Sequence, residues 1–241
     1  MKANATSSFV KSSAEPELEE EVSVSSTSIS ALEALSVHLI SVLGLVLALL
    51  LAHTFFSVNL VSHPSPTLLL VSIIECPIVI LLYSRYRKNR DECTYLKAVG
   101  QGLLGLPVGA LVNALGAIAL GAPVGTQYFL KTINWSLMMS LFTIVPAVSV
   151  FGSSWKDWQR IFANTKPIGS LGFIIYLPAH GAIIGAWLGA LPMPLDWERS
   201  WQEWPICVSY GAMAGYLVAM VASSSLILAR ARFQHVKVNR D

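Results

Sequence analysis

The chain has 241 residues, of which 54% are apolar and only 12% charged, with a formal net charge of +2. Soluble globular chains carry about one-quarter charged residues, so a protein whose whole surface faces water is excluded. Cys76, Cys93 and Cys207 are too few and too scattered for a disulfide framework, and no Cys/His spacing suits a metal.

Residues 1–32 are rich in Ser and Glu where a signal peptide would place its apolar core, so they read as a disordered tail rather than a cleaved leader. Apolar runs then follow near 34–53, 66–84, 98–120, 128–151, 170–190 and 205–229. About 20 apolar residues cross the hydrocarbon layer as a helix, and backbone polar groups there must be satisfied within the segment. The expected fold is therefore an all-α, polytopic membrane bundle of about six transmembrane helices. It has a six-span membrane domain over 33–229 and a basic tail over 230–241.

An even number of spans puts both termini on one side. Of the 16 lysines and arginines, all but Lys131 and Arg199 then fall on that side. This bias predicts cytosolic termini and places the 191–204 loop in the lumenal or extracellular space. The glycosylation acceptor Asn4-Ala5-Thr6 would face the cytosol and stay unused.

Within the spans, Glu75 is the acidic residue whose burial would cost a few kcal/mol if it were ionised. It is either a substrate or proton contact, or a buried carboxyl bonded to a neighbouring helix. Asn134 and His180 are weaker polar sites, expected as interhelical hydrogen bonds. Gly105 and Gly109 recur at four-residue spacing in the third span, Gly181, Gly185 and Gly189 in the fifth, and Gly211 and Gly215 in the sixth. Such faces let helix backbones approach closely, inside this bundle or against a partner subunit.

The loop between the last two spans concentrates Asp196, Trp197, Glu198, Arg199, Trp201 and Trp204 between Pro192, Pro194 and Pro205. Tryptophans anchor at membrane interfaces, and prolines restrain irregular backbone. Arg199 has three candidate partners: Asp196, Glu198, or a lipid phosphate held bidentately. No Walker loop, nucleophile elbow or His-Glu-x-x-His motif occurs, and no catalytic, cofactor or metal residues are assigned.

The run from Gly185 to Pro205, Gly-Ala-Trp-Leu-Gly-Ala-Leu-Pro-Met-Pro-Leu-Asp-Trp-Glu-Arg-Ser-Trp-Gln-Glu-Trp-Pro, resembles the signature of the class F (PIG-F) family of glycosylphosphatidylinositol (GPI) anchor biosynthesis. Ser200 stands where that family has proline. Weaker similarity at Gly121-Ala-Pro, Phe142-Thr-Ile-Val-Pro and Trp158-Gln-Arg-Ile-Phe extends the resemblance over roughly residues 98–229, while the first two spans match only in hydrophobic character. The resemblance implies a multi-pass protein of the endoplasmic reticulum membrane that binds and stabilises the large GPI ethanolamine-phosphate transferases. It also implies that catalysis, with its metals, resides in that partner chain, and that lipids, the GPI precursor among them, are the surrounding ligands. The competing reading from the residues is a lipid or small-solute transporter using Glu75 and the glycine-rich helices. Against it stand the single acidic intramembrane site and the lack of an internal repeat. An intramembrane enzyme is weaker still, because no nucleophile and base can be placed together.

Overall fold

A computed structural model describes residues 28–88, 90, 93–167 and 169–238, with side-chain surroundings given as far as residue 233. Asn4 and most of the N-terminal tail lie outside the described residues. Seven α-helices follow in order: α1 (Ala31–Thr54), α2 (Pro64–Ser84), α3 (Tyr95–Ala119), α4 (Thr126–Phe151), α5 (Trp155–Trp158), α6 (Gly169–Ala190) and α7 (Ile206–Val238). All but the one-turn α5 are long and apolar enough to cross a membrane. Each exceeds the 20 or so residues needed to span about 30 Å at 1.5 Å per residue. The six runs read from hydropathy thus each become one helix.

Two boundaries differ. The expected tail begins later than its composition suggested, because α7 continues as helix to Val238 instead of ending at 229. At the other end, α1 begins with a capping box rather than at the first long apolar stretch. Ser30 Oγ accepts from the Glu33 backbone N–H at 3.2 Å, and the Glu33 carboxylate accepts from the Ser30 N–H at 2.9 Å. Two of the orphan donors of the first turn are thereby satisfied. Just before it, Ile29 exchanges backbone hydrogen bonds with Ser170 Oγ at 2.9 and 2.6 Å, pinning the entry to α1 against the start of α6.

Helices α3 and α4 run antiparallel, as do α6 and α7, since Gly105 and Gly109 meet Val148 and Ile144, and Gly181 and Gly189 meet Gly215 and Cys207. Helix α4 is the centre, with 78% of its most apolar stretch enclosed by protein, against 17% for the peripheral α3. Helix α4 packs against α2, α3 and α6, while α6 and α7 form the most extensive pair and α1 bridges α2 and α7. Pro77, Pro107, Pro146 and Pro178 each sit inside a helix. Proline removes a ladder hydrogen bond, and membrane helices tolerate it where neighbours supply polar partners. Beside Pro107, Ser140 Oγ of α4 donates to Leu106 O at 3.0 Å. The buried His38 of α1 places its Nδ1 2.8 Å from Ser224 Oγ of α7, while its Nε2 has no hydrogen-bond partner.

The glycine faces answer one question directly: each is spent inside the bundle. A Cβ built on Gly185 would overlap the Gly211 carbonyl oxygen and lie 2.9 Å from Gly215 Cα, and one on Gly189 would lie 2.5 Å from Cys207 O. Gly181 meets the Gly215 backbone in the same way, and Gly211 and Gly215 reciprocate. In the third span, Gly105 accommodates Val148 and Gly109 accommodates Ile144 of α4. These are side chains, so that contact is softer than the backbone-on-backbone contact of α6 and α7.

Candidate functional site

The connection between α6 and α7 folds as a docked loop. Gln202, buried in the 3-10 turn Ser200–Gln202, organises it. Its Nε2 donates to Pro192 O at 2.7 Å and Leu195 O at 2.9 Å, and its Oε1 accepts from the Arg199 N–H at 2.9 Å. One amide therefore ties both limbs of the loop together, satisfying backbone groups that irregular chain leaves unpaired. Trp204 clamps the loop to the start of α4. Its Nε1 donates to Thr132 Oγ1 at 2.9 Å, and its ring lies 5.1 Å from that of Trp135 at a tilt of 55°. Lys131 Nζ stands 3.7 Å from Glu203 Oε2 at the rim.

This anchoring sorts the candidate residues. Asp196, Trp197, Glu198 and Arg199 are exposed, and Trp201 is half-buried with its ring 6.0 Å from Trp197. Trp204 is only 6% exposed, so it is a packing residue of this chain and drops out of the outward-facing set. Glu198 adopts φ of 49°, a left-handed conformation that a non-glycine residue occupies only at some cost. No ion pair joins Arg199 to Asp196 or Glu198. The guanidinium is thus left without a carboxylate from its own loop. Around this charged tip, Trp187, Leu191 and Leu195 are exposed apolar side chains.

The intramembrane polar residues do not join this site as a group. Asn134 does what an interhelical bond requires, its Nδ2 donating to Ser65 Oγ at 2.7 Å and Ser65 O at 3.1 Å across α4 and α2. His180 departs from expectation: its Nδ1 lies 2.9 Å from Tyr176 O, one turn back in its own helix, and its ring stacks near Tyr176 and Phe162. An i−4 carbonyl is simply the nearest acceptor on that face. Glu75 is 1% exposed, and its Oε1 has no hydrogen-bond partner. Its carboxyl fills space left by Gly44, where a Cβ would lie 2.8 Å from Glu75 Oε1. Gln202, Thr132, Trp135 and Ser65 are the residues that sequence reasoning missed. Trp204 and Thr132 are 72 positions apart, and nothing local to either advertises the bond.

The family model of GPI biosynthesis protein Pig-F matches residues 42–224, which takes in the α6–α7 loop and at least part of every spanning helix. The chain belongs to the Pig-F family. The match also corrects the expected extent, because it reaches back through the second span into the first rather than starting near residue 98. The human "GPI ethanolamine phosphate transferase, stabilizing subunit" is 38% identical over 106 residues, covering 44% of this chain and 48% of that protein. A "PIGF/3-ketodihydrosphingosine reductase fusion protein" of Schizosaccharomyces pombe is 38% identical over 125 residues, 52% of this chain and 25% of the fusion. The "Glycosylphosphatidylinositol anchor biosynthesis protein 11" of Yarrowia lipolytica is 29% identical over 165 residues, 68% of this chain and 70% of that protein. The matched part thus spans about half the length of the human Pig-F relative or less for the fusion. No solved structure matches.

Proposed function

We propose that this Pig-F chain is a non-catalytic, stabilising subunit of a GPI ethanolamine-phosphate transferase. It sits in the endoplasmic reticulum membrane with its termini in the cytosol and its α6–α7 loop in the lumen. The partner is a large catalytic chain that carries the metal-dependent transfer of ethanolamine phosphate to mannose of the GPI precursor. The observation that carries the reading is the loop itself. Gln202 and Trp204 hold it in one shape, so Asp196, Trp197, Glu198 and Arg199 present acid, aromatic and base outward at little further entropic cost. Aromatic and arginine side chains of this kind dominate the energetics of protein interfaces. The names of the mammalian relatives, as stabilizing subunits of that transferase, supply the partner.

The test is Arg199→Glu. It should reduce co-purification of the large transferase from mild detergent and cause GPI precursors lacking terminal ethanolamine phosphate to accumulate. Activity per assembled complex should stay at the wild-type level. A loss of several orders of magnitude with assembly intact would make the loop part of the catalytic site and sink the assignment.

A further inference from the structure

At the opposite end of the bundle from the α6–α7 loop, the α2–α3 connection, the start of α3 and the chain from the end of α4 to α5 line an open cavity of about 290 Å³. Polar groups line much of it, among them Lys88, Lys97, Gln101, Ser153 and Asp157. Asp157 is 5% exposed and holds Lys88 in place. It accepts from Lys88 Nζ at 2.9 and 3.1 Å and from Ser154 Oγ at 2.7 Å, with Arg160 Nη1 at 3.6 Å. The Lys88 backbone N–H donates to Val150 O at 2.9 Å, fixing the stem of that side chain to the end of α4. Gly152 then turns the chain at φ of 56°, and a Cβ there would lie 3.2 Å from both Nε2 and Oε1 of Gln101. The left-handed φ is what favours glycine at 152, since the flexible Gln101 amide could yield to a Cβ.

Lys97 and Gln101 are one turn apart on α3 and share a face. Of the charged side chains that line the cavity, Lys88 is paired with Asp157, which leaves the single positive charge of Lys97 without a partner among the lining residues. Asp91 and Glu92, in the same connection, lie outside the described residues. Lipid tails are poor occupants of a volume lined by ammonium, amide and hydroxyl groups, because those groups would lose their water without compensation. An anion restores what they need, and basic pockets between helix ends are established places for anionic headgroups. The flank of the cavity also suits a lipid rather than a free ion. Leu96, Leu103 and Leu104 of the peripheral α3 are exposed, giving acyl chains an apolar path down the same helix that carries Lys97.

We propose that this cavity binds the phosphodiester headgroup of an anionic glycerophospholipid, with Lys97 and Lys88 supplying charge, Gln101 and Ser153 supplying hydrogen bonds, and the acyl chains lying along α3. The site is separate from the α6–α7 loop and does not depend on the partner assigned above.

The full chain, purified with whatever partner accompanies it, is placed in phosphatidylcholine nanodiscs doped with a minority of phosphatidylinositol. Native mass spectrometry of the ejected protein reads which lipid it retains. The expected result is enrichment of phosphatidylinositol over its share of the disc. Lys97→Gln should lower that enrichment roughly five-fold, the factor for one basic residue near an anionic lipid surface, and Lys97→Arg should preserve it. Lys97 is exposed, so neither change removes a buried contact. Arg85, exposed at the same end but outside the cavity, is the control for diffuse surface charge. No enrichment on the wild type overturns the proposal. An equal loss in Arg85→Gln does so as well, and displacement of the lipid by millimolar inorganic phosphate would reassign the cavity to a free anion.

Discussion

Replacing Gly185 by alanine tests the packing of α6 against α7 at its tightest point. The added methyl would overlap the Gly211 carbonyl oxygen and lie 2.9 Å from Gly215 Cα and 3.0 Å from Gly211 C. All three neighbours are backbone atoms that cannot swing aside. The two helices must therefore part by about an ångström, and a gap of that size forfeits a quarter to a half of each contact's dispersion well. If about forty atom pairs at roughly 0.15 kcal/mol each lose that fraction, the cost is about 2 kcal/mol, in line with measured overpacking penalties of about 1–3 kcal/mol. A chain of this size loses about 2–4 °C of melting temperature per kcal/mol, so Gly185→Ala should melt about 4–8 °C lower. Gly185→Leu should be worse and should lower the steady-state level of the protein. The assay is thermal challenge of a fluorescently tagged chain in detergent, followed by size-exclusion chromatography. Gly116, whose added Cβ would meet nothing within 4 Å, is the matched control and should be neutral as alanine. If Gly185→Ala melts with the wild type, as Gly116→Ala should, the backbone approach of α6 and α7 is not what holds this pair together.

Thr132→Val keeps the shape of the side chain but leaves the buried Trp204 Nε1 without its acceptor, a loss of about 1–3 kcal/mol that should show as faster proteolysis within 191–204; unchanged proteolysis would mean that the ring contact with Trp135 suffices. Gly44→Ala should destabilise the chain by driving a methyl to 2.8 Å from both Glu75 Oε1 and Ile78 Cδ1, and Glu75→Ala in the same chain should recover the part due to the carboxyl. Independent, additive effects in that double-mutant cycle would show that the carboxyl does not occupy the space at Gly44. For topology, protease added to sealed microsomes should remove a C-terminal tag, and Asn4 should carry no glycan. A protected tag or a glycosylated Asn4 would reverse the orientation and put the α6–α7 loop in the cytosol.

Hydropathy alone was enough for the six spans because the demand is local. A run such as 128–151 must satisfy its own backbone hydrogen bonds in hydrocarbon, whatever surrounds it, and a helix is the one way to do so. The start of α1 was legible too, in Ser30 and Glu33 three residues apart, a cue that an apolar run beginning at 34 overlooks. The candidate loop was found by its composition and by its resemblance to one family, again features of a continuous stretch of chain.

What the sequence could not decide is which side chains of that stretch face out. Trp201 and Trp204 are the same residue type three positions apart, yet one is half-exposed and the other is enclosed by Thr132 and Trp135. Four-residue glycine spacing likewise fits an internal or an external interface equally well. Its use between α6 and α7 depends on Gly211 and Gly215 arriving opposite Gly185, a register set by the intervening loop. The basic cavity is the plainest case, since Lys88 and Lys97 meet Asp157 from a stretch of chain about sixty positions away. Periodicity and composition report how a segment meets its solvent. Which distant segment becomes its neighbour is a matter of packing among helices that are all equally apolar, and only the assembled bundle determines that.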